Sequence, residues 1–271
     1  MKIFLTSFFA LFFVTTTMAG TFSIDNVSQQ EIDALTEELG ADWIFTTNSS
    51  AKPAGDMLPL VGIEVGVVIG VTEAPKWAQL IKEEDPNTDI DKLPHLNFIG
   101  AFSFKPLGLT FELGFIPEKS SDGATIKNTG LGIKWTFLDH IIYQLAVRGH
   151  FNSNELSFVD SSAVAGGSAV GRTAFETTTM GVQVLAGADL LGFFEPYAGL
   201  GFVKSSTDTK LSANITVTDI SLVGNRAIDS SHSSVHFLAG AVFDLAILNI
   251  GLEYMNALGT SRITGKFSIN I

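Results

Sequence analysis

Cysteine is absent from the 271 residues, which excludes disulfides, thiol catalysis, thiolate metal sites and a lipidated N-terminal cysteine. Charge is scarce: charged residues make up 16% of the chain, against about 25% in ordinary soluble domains. Positive charge is scarcer still, with Lys+Arg 16 against Asp+Glu 28 and a formal net charge of −12. Nothing here would neutralise a phosphate backbone, so no nucleic-acid partner is expected. Long hydrophobic runs are also missing beyond the N-terminal leader. The best later candidate, 237–252, contains Asp244 and Asn249 and is broken by Gly240 and Gly251. It falls short of the ~20 apolar residues a membrane helix needs. Yet hydrophobic residues reach 46% and the mean hydropathy is +0.33, which excludes intrinsic disorder. The composition to explain is a hydrophobic chain without hydrophobic runs.

Residues 1–19 read as an address. Lys2 supplies the positive start, Ile3 to Val14 the apolar stretch, and Thr17-Met18-Ala19 the small residues before a cut. This is the pattern of a cleaved secretory signal peptide. An exported chain without cysteine fits a bacterial envelope better than a disulfide-rich secreted scaffold.

The rest of the chain alternates with period two. Val61, Ile63, Val65, Val67, Ile69 and Val71 share one face, opposite Gly62, Glu64, Gly66, Val68, Gly70 and Thr72. Successive side chains of a strand point to opposite faces. One face is continuously aliphatic, whereas the other is Gly-rich with single charges. A soluble sheet would carry Lys, Glu and Thr on its second face; this pattern instead suits a crowded interior with lipid outside. Similar segments predict ten strands, at 59–72, 95–105, 107–116, 126–137, 141–153, 174–188, 194–206, 233–245, 248–257 and 262–271. The intervals alternate short turns with longer loops at 73–94, 117–125, 154–173 and 207–232. Only the last outer connection, 258–261, breaks the alternation. Such alternation is the mark of an outer-membrane barrel, with short turns in the periplasm. Aromatics fall at both ends: Phe102, Phe104, Trp135, Phe137, Tyr143, Phe194 and Phe243 near the short turns, and Phe115, Phe151, Phe175, Phe202, Phe237 and Tyr254 near the long loops. Two interfacial belts are expected of such barrels. The expected fold is thus all-β: a closed antiparallel up-and-down transmembrane β-barrel over 59–271, preceded by a short N-terminal helix. Further alternation at Leu211, Ala213, Ile215 and Val217 leaves open strands that project beyond the membrane, or twelve strands.

Glu195-Pro196-Tyr197-Ala198-Gly199-Leu200-Gly201 resembles the Pro-Tyr-x-Gly-x-Gly strand of the small OmpA/OmpW-like outer-membrane barrels. The chain also resembles a porin-like family with a helix before the barrel. The resemblance is architectural. It implies a location in the bacterial outer membrane, with outer-membrane lipid, the barrel-assembly machinery and periplasmic chaperones as partners. Family members usually end on an aromatic residue; this chain ends on Ile271.

Ahead of the barrel, Ser28 and Glu31 form a capping box and Gly40 suits a helix stop. Ile32, Leu35 and Leu39 make an apolar stripe. Residues 46–56 (TTNSSAKPAGD) read as a linker. So short a helix cannot stand alone. The 20–58 region is expected in the periplasm, the helix plugging the periplasmic mouth or binding a periplasmic partner.

Inward charges fall on neighbouring strands. Glu112, Lys134 and Arg148 form one cluster, and Glu253, Lys266 and Glu64 another, the latter only if the sheet closes. They either satisfy one another in a filled lumen or line a narrow polar pore. Thirteen inward-facing glycines, among them Gly114, Gly130, Gly132, Gly181 and Gly201, leave room for a pore or for the N-terminal helix. No enzyme, cofactor or metal is expected. His150, His232 and His236, set near Glu155, Asp160 and Asp229, lie toward the outer rim but match no catalytic pattern. The Asp85–Asp91 loop has Ile90 where a calcium loop needs Gly and Leu96 where it needs Glu. The Gly-rich 163–171 lacks the Lys of a phosphate loop. The expectation is a monomer for porin-like passage of small solutes or a structural envelope role. The alternatives are a fatty-acid-type transporter of hydrophobic ligands and a surface adhesion protein using 154–173 and 207–232.

Overall fold

The computed structural model describes residues 28–55, 58–84, 91–121, 123–164, 167–217, 220–245 and 247–271. The leader and the 85–90 part of the acidic loop lie outside these. Ten antiparallel strands form a closed barrel in sequence order: β1 (Val61–Glu73), β2 (Lys92–Phe104), β3 (Leu109–Ser121), β4 (Ala124–Asp139), β5 (Tyr143–Val164), β6 (Gly167–Ala188), β7 (Phe194–Val217), β8 (Ile220–Leu245), β9 (Leu248–Ala257) and β10 (Thr260–Asn270). β1 pairs with β10, Glu64 opposite Asn270 and Thr72 opposite Arg262, so the meander closes with ten strands rather than twelve. Among the described residues no helix is long and apolar enough to cross a membrane, which says nothing against crossing by strands.

The alternation read from the sequence is the inside–outside alternation of this barrel. On β4, Asn128, Gly130, Gly132, Lys134 and Thr136 are buried, while Leu131, Ile133, Trp135 and Phe137 stand about half exposed on the exterior. Because the sheet closes, the barrel up to the height of β9 and β10 leaves no unpaired strand edge. The short turns are tight: a 3₁₀ turn at Lys105–Leu107 ends on Gly108, whose φ of 63° favours glycine.

Three readings require correction. The described residues of 154–173 and 207–232 are not loops. They are continuations of β5–β8, paired without interruption as far as Val164–Gly167 and Val217–Ile220. Their polar composition reflects an outward face in water, not irregular backbone. At about 3.3 Å per residue, Ser206–Val217 adds roughly 40 Å along the strand. A four-stranded wall therefore stands above one side of the mouth. Second, Phe175 is no belt residue: it is 2% exposed, on the inner face of this wall. Third, the 73–94 connection carries an amphipathic helix, which lies inside the mouth.

Two helices sit there: α1 (Gln29–Asp42) and α2 (Pro75–Glu84). The capping box forms, with Ser28 N–H donating to Glu31 and the Glu31 N–H donating to the Ser28 hydroxyl. Gly40 does not stop the helix, which runs on to Asp42. It sits where α1 meets Ser205 and Leu258 too closely for a side chain.

Candidate functional site: the occupied lumen

The site is built from a segment whose polar composition disguises it. Residues 46–55, within the stretch read as a linker, run through the barrel from the foot of α1 toward the start of β1. Their small polar side chains match a polar lumen, and Thr46, Thr47, Asn48, Ser49 and Ser50 are all buried. α1 correspondingly docks at the long-hairpin end, not at the short-turn mouth where the sequence reading set it. The reason is apolar matching. Leu35, Leu39 and Trp43 pack with Ala74, Trp77, Ile116 and Phe175, and Ile32 packs with Leu211 and Ile228. These partners exist only above the polar lumen, where the strand extensions and α2 enclose an apolar vestibule.

The charges singled out from the sequence all face inward and are all buried. Lys266 pairs with Glu64 at 2.7 Å, and Ser268 donates to the same carboxylate at 2.6 Å. Arg148 stands 3.8 Å from Glu112. Most of the remaining contacts run to the threaded segment. Lys134 Nζ donates to the carbonyls of Ser50 (2.8 Å) and Lys52 (2.7 Å) and to the Ser49 hydroxyl (3.2 Å). Glu112 accepts from Thr47 (2.9 Å) and Ser49 (3.0 Å). Glu253 accepts from Thr46 (2.8 Å) and from the Tyr197 hydroxyl (2.9 Å). Buried charges persist when paired and hydrogen-bonded; here the segment supplies much of that pairing.

Sequence reasoning missed several members of this set. Arg262, 2% exposed, donates to the carbonyls of Asp42 (2.6 Å) and Ile44 (2.9 Å), clamping the end of α1. It lies one repeat before Thr264, Lys266, Ser268 and Asn270, so its inward facing was legible and its partner was not. Glu195 accepts from Ser50 (2.7 Å) and Lys52 (3.0 Å). Asn152 and Thr179 hold the Trp43 carbonyl at 2.7 and 3.1 Å. Five inward glycines make room for rings: Phe45 lies over Gly114, Gly130 and Gly132, His150 over Gly181, and His236 over Gly201. His150 and His236 accordingly face the lumen as a pair with ring centroids 6.1 Å apart, below the rim where the sequence set them. His232 meets Thr36 of α1 at 3.2 Å. Toward the short turns a cavity of ≈ 20 Å³, lined by Ser49, Glu64, Glu195, Asn249, Lys266 and Asn270 among others, is about the size of one water molecule.

α2 covers α1 from above. Glu38 of α1 accepts from the backbone N–H groups of Lys76 (2.9 Å) and Trp77 (3.2 Å), capping α2, and the Trp77 indole donates to the Leu35 carbonyl at 3.2 Å. Burial raises the Glu38 carboxyl above its usual range despite these donors. Glu31, exposed and hydrogen-bonded by Ser28, is held below it. On the wall's outer face the Glu176 carboxylate holds Lys210 above its ordinary value.

The comparisons with known proteins bear on this architecture. Residues 105–260 match the model of a family described as "Family of unknown function (DUF6588)". No curated protein matches the chain. Among solved structures, the attachment invasion locus protein Ail of Yersinia pestis is similar at 12% identity, with 78% of this chain and 97% of that one covered and a TM-score of 0.35. The outer membrane protease OmpT from Escherichia coli is similar at 8% identity, with 82% and 98% covered and a TM-score of 0.39. The translocator domain of the autotransporter NalP from Neisseria meningitidis is similar at 11% identity, with 79% and 88% covered and a TM-score of 0.42. These likenesses are of fold alone.

Proposed function

We propose a role for this chain on the premise that it belongs to DUF6588, a family of unknown function: it is an outer-membrane barrel sealed by its own N-terminal segment. It serves as a structural and surface scaffold of the envelope rather than as an open porin or an enzyme. The short turns face the periplasm and lipid surrounds the aliphatic exterior. A single barrel without free lipid-facing edges is complete as a monomer. The observation that carries the reading is the engagement of Glu112, Lys134, Glu253 and Arg262 by residues 42–52. These charges hold a chain in place, and a solute would have to replace it. Withdrawal also exposes Leu35, Leu39, Trp43 and Phe45, each buried, at about 1.5–3 kcal/mol per side chain. The apolar vestibule is filled by the same residues with Trp77 and Phe175, so a lipid ligand would have to displace the chain's own core.

The test is conductance. A Cβ built on Gly187 lies 3.6 Å from the Ala51 Cβ, within disulfide geometry, and the chain has no native cysteine to compete. The full chain in planar bilayers is expected to be silent, and Ala51→Cys/Gly187→Cys to be silent both oxidised and reduced. A steady current in the reduced form that oxidation abolishes would make the protein a plug-gated porin instead. A surface-binding role is the second reading. It is favoured by the open edge of β8, which over Ile220–His236 pairs only with β7 among the described residues. Such an edge is a template for an added strand. Shortening the β7–β8 hairpin to the height of β9 should then abolish cell-surface binding without unfolding the barrel.

A further inference from the structure

We infer that the barrel carries its own N-terminal segment through the lumen, so that the exposed start of α1, Ser28 to Glu31, is presented on the long-hairpin side while β1 starts on the opposite side. The contacts follow one another in order without a reversal. Gly55 packs on Gly62, Ile63 and the Ile271 carbonyl at the short-turn end. Above it, the Ser103 hydroxyl accepts from the Ala54 N–H and the Thr136 hydroxyl donates to the Ala51 carbonyl. Next come Thr47 at Glu112, Thr46 at Glu253 and the Ile44 carbonyl at Arg262. Trp43 then reaches Asn152 and Thr179, Thr36 reaches His232, and Asp33 accepts from Ser230. Ile32 ends the series against Leu211 and Ile228, high on the projecting wall. α1 climbs about 1.5 Å per residue, which sets Ser28 roughly 20 Å above Trp43. Residues 28–31 are exposed, and their capping box completes the helix start without help from the barrel.

Residues 43–55 run through the lumen, and an amphipathic helix lies at their leading end. They give Lys134 and Arg262 backbone carbonyls as acceptors. This is display of a peptide by the barrel that the peptide itself completes. The identity of the outer face rests on the orientation proposed above; the shared side of Ser28 and the long hairpins does not.

Single-cysteine variants of the full chain separate the two. Gln29→Cys reports the start of α1, Val223→Cys (64% exposed) the long hairpins, and Ile141→Cys (85% exposed) a short turn. Intact cells are treated with a polymer-bearing maleimide too bulky to cross the outer membrane, and labelling is compared with that after permeabilisation. The expected result is near-complete labelling at Gln29→Cys and Val223→Cys in intact cells, and labelling at Ile141→Cys only after permeabilisation. Labelling of Gln29→Cys in step with Ile141→Cys, while Val223→Cys labels in intact cells, overturns the inference. If Ile141→Cys labels in intact cells and Val223→Cys does not, the proposed orientation falls. The inference then stands only if Gln29→Cys still follows Val223→Cys.

Discussion

Strands β5–β8 cross two surroundings, and their faces exchange character between them while the alternation of side chains never slips. Lower down, the outward positions are apolar, ending at Phe151, Met180, Phe202 and Val235, and the inward ones include Arg148, Gln183, Glu195 and His236. One repeat higher the outward positions become Ser153, Thr178, Lys204 and Ser233, and further up the inward ones become Phe175, Leu211 and Ile228. The lower part is apolar outside and largely polar inside; the upper part is built like a soluble sheet. The N-terminal segment changes at about the same height, a largely polar thread below Trp43 and, above it, an amphipathic helix that buries Ile32, Leu35 and Leu39. The pleat supplies only two faces. The solvent on each side decides which is oily, and here that solvent changes along a single strand.

The comparison breaks first at the lumen charges. Lys266→Met leaves the buried Glu64 without its cation and is expected to destabilise the barrel by about 3–5 kcal/mol. Denaturant unfolding in detergent reads this, and Glu64→Gln added to it should restore much of the loss. No effect of the single change would mean the lumen is wetter than described. In the vestibule, Leu39→Ala truncates a side chain 1% exposed and should cost about 2–5 kcal/mol. Protease sensitivity is expected to appear at α1 before the strands open. The height of the lipid boundary is sharpened by paired changes on the outer face of β7. Leu200→Arg, 62% exposed below the boundary, should cost about 2–4 kcal/mol. Ser206→Arg, above it, should stay within about 0.5 kcal/mol. Equal costs would erase the boundary.

The smallest effect is a pH dependence in the vestibule. Glu38 titrates above its unfolded value because burial disfavours its charge. Its contribution is therefore full below the unfolded value and lost as pH rises through the folded one. Glu38→Gln keeps the acceptor and removes the titration. The variant should melt slightly above the parent at neutral pH, and the margin should shrink on acidification; a margin that grows instead would reverse the sign argued here.

Much of the barrel was legible because alternation records the two faces directly. Val61 to Val71, Leu131 to Phe137 and Ile263 to Ile269 lie on strands whose inward and outward faces follow that pattern. Phe175 was misassigned because an aromatic near a strand end looks the same whether it meets lipid or another ring. Thr46 to Ser50 were taken for a linker because small polar residues suit water and a polar lumen equally. Arg262 and Glu195 could be assigned to faces by parity, but not paired, since their partners lie far off in sequence.

By itself the sequence determined the up-and-down run of alternating strands, their inside and outside, the absence of thiol chemistry and the capped start of α1. These depend on period-two patterning and on contacts within a few residues, which a linear chain carries explicitly. Only the tertiary structure decided that the lumen is filled, that the filling is the N-terminal segment and that this segment points toward the long hairpins. Those outcomes depend on closure. Only when β1 meets β10 do Lys134, Glu112, Glu253 and Arg262 converge on one interior, leaving buried charges that a polar strand of the same chain can satisfy.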